Sequence, residues 1–93
     1  MILQLQWANH AVFDLKRLHE FLAPVNPQIA SRIAVVLAEA PARLLENPRM
    51  GERLHEFSPR EVRRIFVGDY EMRYEIQATT LYILRLWHTR EHR

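Results

Sequence analysis

Cysteine is missing from this chain, and its absence excludes disulfides, thiolate metal centres and a cysteine nucleophile. Such a chain suits a reducing compartment or is indifferent to one. Glycine occurs only twice, too rarely to build a glycine-rich loop that cradles phosphate. No stretch reaches the roughly 18 apolar residues of a membrane-spanning helix, and the start lacks the charged-then-apolar pattern of a secretory leader. These absences lead to the expectation of a soluble, cytoplasmic protein. Lysine is nearly absent too: Lys16 stands alone against twelve arginines. Arginine offers a planar, permanently charged fork suited to phosphate and carboxylate, so the bias hints at an anionic partner. The net charge is only +2, however, and eleven carboxylates are scattered among the cations, so no one-signed surface can be read from the sequence.

The 93 residues suffice for one domain spanning positions 1–93, and a composition 48% apolar and 26% charged is that of a globular protein. Leu3, Leu5 and Trp7 alternate with Gln4 and Gln6, the period of a half-buried strand. The period then changes. Asn9 offers a helix cap, and Ala11, Leu15, Leu18 and Leu22 fall on one helical stripe with Val12 and His19 beside it, Asp14 lying elsewhere. Asn26 and Pro27 open a second helix whose apolar residues include Ile29, Ile33, Val36, Leu37, Ala40 and Leu44. Pro41 must kink that helix or split it, because it removes an amide donor one turn from its carbonyl partner. The rest is strand-like. A short edge strand over 53–57 precedes a Ser58-Pro59 turn, Gly68-Asp69 makes a two-residue hairpin turn, and Ala78-Thr79 links the final pair. The expected fold is α+β: an N-terminal strand, a helical hairpin, then three or four antiparallel strands with the helices on one face.

With two-residue turns the register can be written out, and a slip of one residue would invert every face. Ile65, Val67, Tyr70, Met72, Tyr74, Ile76, Leu81 and Ile83 would share the face under the helices. The open face would collect Val62, Arg64, Phe66, Glu71, Arg73, Glu75, Tyr82, Leu84, Leu86 and His88. Arg64 would stand opposite Arg73, a like-charge pair that costs energy unless an anion lies between them. That anion is either a bound partner or the chain's own Glu71 and Glu75. Leu84 and Leu86 with Phe66 and Val62 would form an apolar patch of the kind that marks a docking site. The last strand ends on His88-Thr89-Arg90-Glu91-His92, whose two histidines have zinc-ligand spacing only if the segment is helical and a third ligand exists. We therefore expect no metal. Ser31 and Ser58 lack the context of a catalytic nucleophile, and His10 and His19 read as packing or surface residues.

The opening strand and helical hairpin and three further stretches, taken together, resemble the RelE/ParE superfamily of bacterial type II toxin–antitoxin toxins. The three stretches are Leu45 to Gly51, Val62-Arg63-Arg64-Ile65-Phe66-Val67-Gly68-Asp69-Tyr70-Glu71-Met72-Arg73-Tyr74, and Ile83 to Arg90. The resemblance covers nearly the whole chain. It implies a small toxin, without cofactor, neutralised by a cognate antitoxin through which the pair contacts operator DNA. Two activities occur in the superfamily. RelE-like members cleave mRNA on the ribosome, and for such a ribonuclease Arg64, Arg73 and His88 would be the catalytic set. ParE-like members poison DNA gyrase and need no catalytic groups. Several ribonuclease members carry arginine in the strand after the first hairpin turn, where this chain has Glu71, and an aromatic often follows the terminal histidine, where this chain has Thr89. A carboxylate there would repel a scissile phosphate unless it acted as the base. The resemblance therefore implies the gyrase-directed branch, with the ribosome-dependent endoribonuclease as alternative. It implies a target surface of Arg64, Arg73, Arg85, His88 and Arg90, and an antitoxin surface of Val62, Phe66, Leu84 and Leu86.

Overall fold

The computed structural model describes residues 3–91. The order is β1 (Gln4–Trp7), α1 (Asn9–Leu22), α2 (Pro27–Glu39), α3 (Pro41–Glu46), β2 (Glu52–Arg53), a 3-10 turn (His55–Phe57), β3 (Glu61–Val67), β4 (Tyr70–Gln77) and β5 (Thr80–His88). The strands form one five-stranded sheet in the order β1-β5-β4-β3-β2. It is antiparallel except at β1, which runs parallel to β5, its partner from the other end of the chain. The expected α+β architecture is present: four antiparallel strands follow the helices, and the N-terminal strand joins them as the fifth of one mixed sheet.

Local chemistry accounts for the element boundaries. Ala8 rather than Asn9 caps α1: its own N–H donates to the Ile83 carbonyl on β5, and its carbonyl accepts from Ala11 and Val12. The helix therefore begins the moment the chain leaves the sheet. At α2 the Asn26 side chain accepts from the Ile29 N–H at 3.1 Å, with Pro27 at the first helical position. Pro41 splits off α3, as its missing donor requires. The expected edge strand over 53–57 shrinks to the two residues of β2, after which His55–Phe57 coil into a single 3-10 turn.

The core lies between the helices and one sheet face, where Leu18, Leu37 and Leu44 pack on Met72, Tyr74, Leu81 and Ile83. The buried row of α2 is Ala30 and Leu37, continued by Ala40 at the junction and Leu44 in α3, with Ile29 and Val36 turned outward. Val12, expected beside the buried stripe of α1, is also exposed, while Asp14 is buried. Tyr74 ties the loop before β2 to the core: its hydroxyl accepts from the Gly51 N–H at 3.0 Å and donates to the Pro48 carbonyl at 2.7 Å. A Cβ on Gly51 would stand 2.6 Å from both the Arg64 carbonyl oxygen and the Tyr74 hydroxyl, which is why glycine occupies that position.

The β3–β4 register matches expectation throughout, including Arg64 opposite Arg73. The β4–β5 register matches from Gln77↔Thr80 to Tyr74↔Ile83 and then shifts, with Arg73 facing Arg85 and Met72 facing Leu86. Leu84 is the extra residue of a β-bulge. Beyond it every side chain of β5 changes face relative to a regular strand. Leu86 is consequently fully buried in the core, and Trp87 rather than His88 joins Glu71 on the open face.

Candidate functional site

The open face of the sheet is built from β3, β4 and the end of β5. Arg64 and Arg73 face each other across β3 and β4, and between them lies Glu71, whose side chain is fully buried. Its carboxylate sits 3.3 Å from Arg73 Nη2 and 3.8 Å from Arg64 Nη1. Of the two partners considered for the arginine pair, the chain supplies its own. Arg64 also bonds Glu52 at 2.9 Å and lies 5.4 Å from the Phe66 ring centre. The Arg73 guanidinium is held between two rings, 4.7 Å from Trp87 and 5.4 Å from Phe57, while Arg85 covers Trp87 from 4.9 Å. Stacks of this kind fix guanidinium planes and leave their edges available. Glu75, the second expected partner, is taken by Arg60 at 2.7 and 3.1 Å, and that hydrogen bond holds its carboxyl below the ordinary value.

The expected site residues do not all gather here. Arg64 and Arg73 do. Phe66 is exposed and Leu84 half-buried, but Val62 and Leu86 are fully buried, so the apolar patch expected from these four is reduced to two. Val62 is on the open face yet hidden, since the 3-10 turn packs on β3. His88, expected beside the arginines, stands on the opposite side of the sheet. Its ring meets Tyr70 edge-on at 5.1 Å, and its Nδ1 accepts from the Arg90 N–H at 3.1 Å. An accepting Nδ1 carries no proton, which assigns the neutral ring's proton to Nε2. Arg90 is exposed in the turn after β5.

Reasoning from the sequence missed a second cluster, where α1 meets the far half of β5. β1 pairs with β5 only as far as Ile83, and past that point α1 takes over the edge. Asp14 Oδ2 accepts from the Leu86 N–H at 2.9 Å, and Arg17 Nη2 donates to the Leu86 carbonyl at 3.2 Å, so two side chains replace a missing strand. Asp14 also accepts from Arg85 at 2.7 and 3.2 Å. Burial alone pushes its carboxyl up, but the hydrogen bonds from Arg85, the Leu86 N–H and Arg17, with the Arg85 charge, together hold it below the ordinary value. Glu91 completes the cluster by accepting from the His88 N–H at 2.8 Å and from Arg17. Asp14 could have been found by spacing, since it falls three residues after Ala11 and four before Leu18, within the buried stripe. His92, the second histidine of the zinc-like spacing, lies outside the described residues. Among the described residues no group of three or more His, Asp or Glu side chains is arranged to hold a metal.

Residues 5–93 match the family described as ParE toxin of the type II toxin–antitoxin system parDE. The chain is also 31% identical over 85 residues to Toxin RelE2 of Caulobacter vibrioides, covering 91% of this chain and 93% of that one. It belongs to the RelE/ParE superfamily of toxins. The fold agrees: a chain of the chromosomal ParDE toxin–antitoxin system from P. aeruginosa superimposes with a TM-score of 0.79 over 94% of this chain and 96% of its own, at 18% identity. The protein is thus the toxin component of a type II toxin–antitoxin system, with a cognate antitoxin as partner. Among the described residues no helix is long and apolar enough to cross a membrane.

Proposed function

We propose that this RelE/ParE-family toxin acts by binding DNA gyrase, without cutting RNA, and that its antitoxin relieves the inhibition in the cytoplasm. The observation that carries this reading is the separation of His88 from the arginines. A ribonuclease built on Arg64, Arg73 and His88 needs its acid or base within hydrogen-bond reach of the phosphate that the arginines clamp. The bulge at Leu84 turns His88 to the opposite face, against Tyr70. In its place the open face carries a buried carboxylate, Glu71, between the two cations. That arrangement repels a phosphate and consumes the charge that would stabilise its transition state.

A non-catalytic toxin needs only a rigid, specific surface. The Arg64, Arg73 and Arg85 guanidinium groups stacked on Phe66, Phe57 and Trp87 form one, and arginine and aromatic anchors dominate the energetics of protein interfaces. We assign the contact with gyrase to this face. The test is a supercoiling assay with purified gyrase, relaxed plasmid and the toxin, run beside a ribosome programmed with mRNA. The reading expects supercoiling to fail and mRNA to remain whole, with His88→Ala as inhibitory as the parent. Site-specific mRNA cleavage abolished by His88→Ala, with gyrase unaffected, would overturn it.

A further inference from the structure

α2 is a surface helix with few polar side chains on its outer side. It buries Ala30 and Leu37 and packs against α1 and α3. Turned away from that core, Val35 is 53% exposed, Val36 48% and Ile29 42%. The outer face of a solvated helix is ordinarily charged or polar. Pro27–Glu39 contains only two charged residues, Arg32 and Glu39, and both are exposed. Neighbouring apolar side chains rimmed by charge mark a place for a partner.

The two charges restrict what that partner is. They lie seven residues apart, about 10 Å along the helix axis, beyond the three- or four-residue spacing at which charges on one helix meet. Among the described residues neither forms an ion pair. Glu39 also ends α2, where the helix dipole disfavours a carboxylate, and no basic residue in that turn offsets it. At about 100° per residue, Arg32 and Glu39 fall within about 20° of each other around the helix, with Val35 to one side and Val36 to the other. Val35 and Val36 also stand midway between the charges along the chain. The stripe is therefore its own complement: turned end for end about a point between the two valines, it sets a cation against each carboxylate and valine against valine. A parallel pair would oppose Arg32 to Arg32 and Glu39 to Glu39, so charge selects the antiparallel arrangement.

We propose that α2 pairs antiparallel with α2 of a second copy of this chain, about a two-fold axis between Val35 and Val36. Arg32 of each copy meets Glu39 of the other, and the four valines close the centre with the helix axes about 8–10 Å apart. The interface is isologous and complete at two copies. One helix pair covers less than the roughly 800 Å2 per partner of a standard interface, so the dimer is weak and reversible. The helices lie on one face of the sheet, so the two copies stand back to back and both open faces stay uncovered. The inference is independent of the identity of the cellular target.

Sedimentation equilibrium of the purified toxin tests it between about 10 µM and 1 mM, the range in which so small an interface associates. The mass should climb from 11.1 kDa toward twice that value. Arg32→Glu alone and Glu39→Arg alone should each weaken the dimer by at least about tenfold, because each reversal opposes like charges twice. An equimolar mixture of these two variants should associate like the parent, since every contact between them joins opposite charges. A merely structural effect of either change would not be repaired by mixing. Val36→Asp should stay monomeric while keeping the circular dichroism spectrum of the parent. A parent that is still monomeric at about 1 mM overturns the proposal. So do single reversals that dimerise like the parent, or a mixture of the two that does not associate. So does a toxin that is monomeric alone and loses antitoxin binding on Val36→Asp, which would give this face to the antitoxin.

Discussion

Replacing Asp14 by alanine should destabilise the protein more than any other change at a single acidic residue. The carboxylate is 2% exposed and accepts from the Leu86 N–H, from two nitrogens of Arg85 and from Arg17. Its removal leaves the buried Leu86 N–H without an acceptor, which costs about 1–3 kcal/mol. The arginines lose less. Their side chains are 39% and 35% exposed and can turn to water, so their share is nearer that of surface ion pairs, about 0.5–1 kcal/mol. The sum is about 2–4 kcal/mol, against a total stability of roughly 5–14 kcal/mol for a domain of this length. At about 4–8 °C per kcal/mol, Tm should fall by roughly 8–32 °C. Asp14→Asn keeps an oxygen for the Leu86 N–H while losing the charge, so it should cost about half as much. Chemical denaturation of the three proteins decides the matter. A loss below about 0.5 kcal/mol for Asp14→Ala would refute the view that α1 side chains stand in for a missing strand at β5, and so would equal losses for the two variants.

Acid should weaken the fold in a defined window. Asp14, Glu61 and Glu75 all have carboxyl groups held below their ordinary values, so the stability they contribute is present above the unfolded-state values near pH 4 and is lost as pH falls through the folded ones. Urea midpoints should therefore be level near neutrality and drop below about pH 4, less steeply in Asp14→Asn. Tyr74→Phe removes two hydrogen bonds from a buried hydroxyl and strands the Gly51 N–H, which should cost about 1.5–3 kcal/mol by the same measurement. Deleting Leu84 removes only the bulged residue and leaves Arg85 facing Arg73, so it should lower Tm less than deleting Leu86, whose loss would misalign the end of the strand.

Most of the architecture was legible in the sequence because turn chemistry and periodicity are local. Gly68-Asp69 and Ala78-Thr79 fixed two hairpins, and with them Arg64 opposite Arg73. Asn26-Pro27 fixed the start of α2, and Pro41 its break. What escaped was decided by contacts distant in sequence. A β-bulge has no local signature in Leu84-Arg85-Leu86: it falls where β1 ends, Trp7 opposite Ile83, and α1 takes over the strand edge. That one extra residue moved Leu86 into the core and His88 across the sheet, and so changed the candidate site. Asp14 is not legible as buried because a charged residue in a helix is ordinarily solvated, whereas here Arg85 and the Leu86 N–H at a free strand edge satisfy its carboxylate. The family resemblance was visible because it rests on the spacing of whole segments, which a one-residue bulge does not disturb. The choice of target depends on where single side chains point, and there the bulge matters.

The measurement that bears most directly on this account is induction of the toxin in cells without its antitoxin, following plasmid supercoiling and the integrity of a translated mRNA over the first minutes. Supercoiling should fail first, with cleaved DNA accumulating on gyrase, while the mRNA remains full length and His88→Ala behaves like the parent. Rapid fragmentation of the mRNA with normal supercoiling, lost in His88→Ala, would contradict it.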